Sequence, residues 1–110
     1  MAKFEIRKSA GGTFYFRLVS TGNYKVILSS QQYKTKGGCE TGIDSVKANA
    51  PFDSRYERLY AANGEYYFTL KAGNGEVIGT SETYVSSTSR DEGIELVKEQ
   101  APTAQVTDLS

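Results

Sequence analysis

The sequence predicts an α+β fold in which a βββα unit, duplicated in tandem, forms one pseudo-twofold domain with antiparallel strands and two helices on one face. Three observations carry that expectation. Motifs recur at a nearly constant offset through most of the chain. Short segments rich in Tyr, Phe and Val alternate apolar and polar residues with a period of two, and two further segments switch to helical spacing.

The recurrence is direct. Gly12-Thr-Phe-Tyr-Phe-Arg-Leu18 aligns with Gly64-Glu-Tyr-Tyr-Phe-Thr-Leu70, Val26-Ile27 with Val77-Ile78, and Ser30 and Tyr33 with Ser81 and Tyr84. Gly42-Ile43, Val46-Lys47 and Ala50-Pro51 then align with Gly93-Ile94, Val97-Lys98 and Ala101-Pro102, and Glu5 and Ala10 with Glu57 and Ala62. This places one repeat at residues 1–51 and the second at 52–102, a single domain over 1–102. Residues 103–110 lack periodicity and are expected to be a flexible C-terminal tail.

Within the first repeat, Phe4 to Lys8, Thr13 to Val19 and Lys25 to Ser29 have the length and β-branched or aromatic content of strands. Ala10-Gly11-Gly12 separates the first two, and Asn63-Gly64 replaces it in the second repeat, a pair that tolerates positive φ and favours a hairpin. Gly73-Asn74-Gly75 marks the next turn, where the first repeat has Thr21-Gly22-Asn23. Short turns make neighbours antiparallel, so each repeat contains a three-stranded meander, six strands in all. In the middle strands Phe14, Phe16 and Leu18, with Tyr66, Phe68 and Leu70, are assigned to the core. Tyr15 and Arg17, with Tyr67 and Thr69, are assigned to the other face.

Ile94, Val97 and Ala101 form one apolar stripe of a helix, and Cys39, Ile43, Val46 and Ala50 form its counterpart. Ser89-Arg-Asp-Glu92 has capping-box spacing, whereas the first helix begins with the weaker Gly37-Gly38. Pro51 and Pro102 are expected to end the helices by pushing the preceding residue out of helical geometry. Gly42 and Gly93 recur inside the helices despite a cost of about 1 kcal/mol each, which points to close helix-to-sheet approach. Ser30/Tyr33 and Ser81/Tyr84 read as joints, the hydroxyl holding a turn and the ring closing the end of the core.

Composition narrows the chemistry. The 110-residue chain has no histidine and a single cysteine, which excludes histidine-based dyads and triads, an internal disulfide and nearly all zinc sites. Cys39 is the one candidate nucleophile, but it stands at an apolar helix position and reads as packing. No residues are assigned as catalytic, metal-binding or cofactor-binding, and no cofactor is expected. No apolar run approaches the ~18 residues of a membrane span, so no membrane association is expected. The alternating N-terminus, Met1-Ala-Lys-Phe-Glu-Ile-Arg7, does not resemble a signal peptide, and with one reduced cysteine this suggests the cytoplasm.

Asn63-Gly-Glu-Tyr-Tyr-Phe-Thr-Leu70, Lys71-Ala-Gly-Asn-Gly-Glu-Val-Ile78 and Gly93-Ile-Glu-Leu-Val-Lys98, in a duplicated βββα frame, resemble the YegP-like family of small bacterial proteins. The resemblance runs from Phe4 to Pro102. The first repeat departs from it at Ser20-Thr-Gly-Asn-Tyr24, where the family pattern has Ala-x-Asn-Gly. It implies an α+β fold of two βββα units. It implies no activity, because the family is uncharacterised and offers no catalytic or binding residues to carry over.

Two features point to binding. The formal charge is zero, yet residues 1–51 carry eight basic and three acidic side chains, and residues 52–110 carry five basic and ten acidic. That split fits attraction between the halves or mere drift in solvated faces after duplication, a basic face for an anionic partner, or head-to-tail self-association. Tyr15 and Tyr67, flanked by Arg17 and Lys25, outline a binding face if that side of the sheet is open; otherwise they pair across strands with aliphatic stems or pack under the other repeat. The expected function is therefore a non-catalytic binding or accessory module. Its ligand is left unassigned, with self-association or another protein as the partner classes; the alternative is weak single-stranded nucleic-acid binding through these Tyr, Arg and Lys side chains.

Overall fold

The computed structural model describes residues 1–110. The elements run β1 (Ala2–Lys8), β2 (Phe14–Ser20), β3 (Val26–Ser29), α1 (Lys36–Asn49), β4 (Tyr56–Tyr60), β5 (Tyr66–Lys71), β6 (Val77–Ser81), α2 (Ser87–Gln100) and β7 (Gln105–Asp108). The strands form one sheet in the order β4-β5-β6-β3-β2-β1-β7. The two meanders join edge to edge, through the antiparallel pairs Leu28↔Ser81 and Ser29↔Thr80 of β3 and β6. The pseudo-twofold axis passes through the second of these pairs, where equivalent positions of the two repeats meet.

Seven strands are present where six were expected. The tail is the difference: Gln105–Asp108 pairs in parallel with β1, aligned from Lys3↔Gln105 to Ile6↔Asp108. The Leu109 N–H donates to the Ile6 carbonyl (2.8 Å), and Asp108 pairs with Lys36 at the start of α1 (2.7 Å). Four residues without alternation give no local strand signal; a vacant edge of β1 supplies the ladder.

The predicted alternation sets the core. Phe16, Leu18, Phe68 and Leu70 face the helices and are fully buried, with Phe4, Cys39, Val46, Ile94 and Val97. A bulge in each repeat, at Leu18/Val19 against β3 and at Leu70/Lys71 against β6, interrupts the period of two. Consecutive residues, Ile27-Leu28 and Ile78-Gly79, are therefore all buried.

Both helices begin earlier than expected. Thr35 and Ser86 are the N-caps, accepting hydrogen bonds from the N–H groups of Gly38 (3.0 Å) and Ser89 (3.1 Å). Ser89 thus lies one turn inside α2 and is not its cap. The prolines end the helices by a different route from the expected one. Ala50 (φ −54°, ψ −37°) and Ala101 (φ −61°, ψ −41°) both remain helical, so what stops propagation is the missing proline N–H.

The paired glycines behave as the sequence suggested. A Cβ on Gly93 would lie 2.5 Å from the Tyr84 hydroxyl and 3.3 Å from Phe68, and one on Gly42 would overlap the Tyr33 hydroxyl and lie 3.0 Å from Phe16. Tyr33 stacks on Phe16 (6.2 Å, 17°) and Tyr84 on Phe68 (6.5 Å, 16°), so each tyrosine fills the space left by its glycine. The serine joints form as well. Ser30 accepts from the Phe16 N–H and donates to the Gln31 carbonyl, and Ser81 does the same with Phe68 and Glu82. No helix is long and apolar enough to cross a membrane.

Candidate functional site

Because both helices pack on the side of Phe16 and Phe68, the other side of the sheet carries no helix. Pairing brings one residue from every strand into a row across that side: Thr107, Glu5, Arg17, Ser29, Thr80, Thr69 and Glu57. Thr107 apart, the row is symmetric in position about the pseudo-twofold axis, with Glu5 matching Glu57, Arg17 matching Thr69 and Ser29 matching Thr80. Strand parity made this face polar, and the register aligned it.

Two members of the row lack partners. Arg17 Nε and Thr69 Oγ1 are shielded from solvent and make no hydrogen bond, and Thr69 as a residue is only 7% exposed. A shielded polar group without a partner costs about 1–3 kcal/mol. Glu5 faces Arg17 across the β1–β2 ladder yet pairs with Arg7 (3.1 Å) and Lys3 (3.8 Å), and is itself 5% exposed. Lys71 and Glu57 pair at 3.1 Å, so Arg17 is the free cation of this face.

The structure divides the predicted binding residues. Tyr15, Arg17 and Tyr67 all face the uncovered side, but not as one platform. β3 and β6 separate β2 from β5, so the tyrosines lie about three strand spacings (~14 Å) apart laterally. They also flank the central row on opposite sides, because β2 and β5 run in opposite directions. Tyr15 stands beside Arg7, its ladder partner, whereas Tyr67 pairs with Leu59. Lys25 is on the helix side, with its Nζ 5.4 Å from the centre of the Tyr84 ring. The bulge in β3 broke the alternation that had placed it with Tyr15. Thr69 and Glu5 were not singled out from sequence; their signal is the register, which local patterns do not encode.

The charge split does not bind the halves together. Of the ion pairs, only Lys36–Asp108 joins residues 1–51 to residues 52–110. The acidic half keeps its charges to itself: Asp53 pairs with Lys98 (2.7 Å) and Arg58 (3.0 Å), which together hold its carboxyl down to about 2. Cys39 is fully buried, and burial pushes its thiol up to about 11, opposite to the shift of an activated nucleophile. No three acidic or cysteine side chains converge in a group able to hold a metal ion.

Fold and sheet together define a class: small, tandemly duplicated α+β proteins in which two units share one continuous sheet. A family described as a domain of unknown function (DUF1508) matches the chain twice, over residues 9–57 and 61–108. Each match runs from a repeat's second strand through its helix into the following strand, so β7 belongs to the second match as β4 does to the first. Relatives include a UPF0339 protein of Stutzerimonas stutzeri, 50% identical over 96% of this chain and 95% of its own, and UPF0339 protein YegP of Escherichia coli O157:H7, 42% identical over 96% and 94%. Two solution structures match with TM-scores of 0.90 and 42% identity. They are a UPF0339 protein from Shewanella oneidensis (98% of this chain, 91% of that one) and the E. coli protein of unknown function yegP (98% and 92%). The chain belongs to this family, whose named relatives are uncharacterised.

Proposed function

We propose that the protein is a non-catalytic binding module of the cytoplasm that engages its partner through the uncovered sheet face. The observation that carries this reading is Arg17, a guanidinium with no ion-pair partner in a polar row whose pseudo-twofold counterpart Thr69 also lacks a hydrogen-bond partner. The half-buried, unpaired guanidinium suits a ligand that supplies acceptors along that row, such as an acidic extended segment of another protein. A partly shielded guanidinium gains more from a carboxylate than an exposed one would. The lone buried thiol accords with a reducing compartment.

One observation favours a second ligand class, single-stranded nucleic acid: Tyr15 offers an aromatic ring beside Arg7 and Arg17 on the same face. The separation of Tyr67 limits that site to one stacking ring. Titration of 15N-labelled protein at physiological salt with hexaglutamate and with an eight-nucleotide oligothymidine distinguishes the two. The proposal expects saturable shifts along Arg17, Ser29, Thr80 and Thr69 with the peptide. Shifts centred on Tyr15 with the oligonucleotide alone would replace it by the second reading, and shifts with neither would refute both.

A further inference from the structure

The two helices do not sit symmetrically on the sheet. α1 packs across β2, β5 and β6, whereas α2 packs chiefly on β5. A cleft of about 570 Å³ opens between α2 and the β2–β3 turn. Its size falls in the range of small-molecule sites. It lies on the side of the sheet opposite the proposed contact face and stands independently of that reading.

Ile27, Tyr84 and Leu96 give the cleft an apolar lining, and Lys25 and Glu92 contribute one charge of each sign. Lys25 is drawn over the Tyr84 ring, yet neither it nor Glu92 belongs to any ion pair in the molecule. At the positions related by the duplication, Glu76 replaces Lys25, Thr41 replaces Glu92 and Ser45 replaces Leu96. The combination therefore belongs to this cleft and not to the repeat as such. An apolar bed between unpaired opposite charges complements a ligand carrying the inverse arrangement. We propose that the cleft binds a small zwitterion with an apolar body, its carboxylate on Lys25, its ammonium on Glu92 and its hydrocarbon part on Ile27, Tyr84 and Leu96.

The test uses 15N-labelled full-length protein and two zwitterions, L-phenylalanine with adjacent charges and 6-aminohexanoate with separated ones. The proposal expects saturable shifts at Ile27, Tyr84, Gly93 and Leu96 with at least one of them below 10 mM. N-acetylation or removal of the carboxylate from that probe should weaken binding at least tenfold. Lys25→Met and Glu92→Gln, both at exposed positions, should each weaken it tenfold while leaving the rest of the spectrum in place. Absence of saturable shifts with both probes overturns the proposal, as does equal binding of the singly charged analogues, which would reduce the cleft to an apolar patch.

Discussion

Leu28 and Gly79 occupy equivalent positions in the two repeats, and they meet at the junction of the two meanders: a Cβ on Gly79 would lie 2.6 Å from Leu28 Cγ and Cδ2. Both are directed toward the helices, on strands that pair across the pseudo-twofold axis. Two leucines would compete for one volume there. The duplicated sequence resolves this by keeping the large side chain in one copy and removing it from the other.

Gly79→Ala should therefore destabilise the protein by about 2 kcal/mol, the scale of overpacking a dense core. Combined with Leu28→Ala, it should cost clearly less than the sum of the single changes, because the new methyl enters the space the leucine vacates. Chemical denaturation of the four proteins checks this. Additive losses would mean that the two residues do not share that volume.

Thr69→Val should stabilise the fold by about 0.5–1 kcal/mol, since it replaces a shielded hydroxyl lacking a partner by a methyl of the same size in a strand. The same change should weaken any ligand held along the central row. A thermal melt that falls instead would show that the hydroxyl is satisfied in the folded protein.

The Cys39 thiol, raised to about 11 mainly by burial and secondarily by Glu40 and Asp108, remains protonated throughout the neutral range. Iodoacetamide labelling of native protein at pH 8 should be slow and set by transient opening, and should accelerate more than a hundredfold in denaturant. Rapid native labelling would contradict the burial.

The attachment of β7 should be acid-sensitive. The Lys36 ammonium, helped by the Ser110 hydroxyl and backbone N–H, holds the Asp108 carboxyl well below the usual carboxylate range. A group whose folded value is depressed contributes stability above its unfolded value, about 3.9, and loses it as pH falls toward the folded value. The amide of Leu109, which donates to Ile6, should thus lose exchange protection as pH drops below about 4, before the central strands do. Asp108→Asn should remove this dependence. Unchanged protection of Leu109 down to pH 2 in the parent protein would separate β7 from the ion pair.

Much of this was legible in the sequence, because it rests on local period and on the duplication. Phe16, Leu18, Phe68 and Leu70 reached the core by alternation, and Gly42 and Gly93 announced the tyrosines that pack against them. What was missed depends on long-range pairing. β7 exists because β1 has an edge to fill, and Lys25 lies with Tyr84 because a bulge redirects the start of β3. Likewise, Arg17 and Thr69 are alike only once register has put them in one row. Of the four residues expected to share a face, Tyr15, Arg17 and Tyr67 do lie on the helix-free side and Lys25 does not, and the spacing of the two tyrosines across the axis was not readable from residue type.

The proposed contact surface is the helix-free sheet face, with Arg17 as its free cation. Fluorescence anisotropy of labelled hexaglutamate at physiological salt, against the parent protein, Arg17→Ala and Lys25→Ala, separates this face from the opposite one. Binding should fall at least tenfold in Arg17→Ala and stay unchanged in Lys25→Ala, which alters the opposite side. Equal binding by all three proteins, or a loss confined to Lys25→Ala, would rule this surface out.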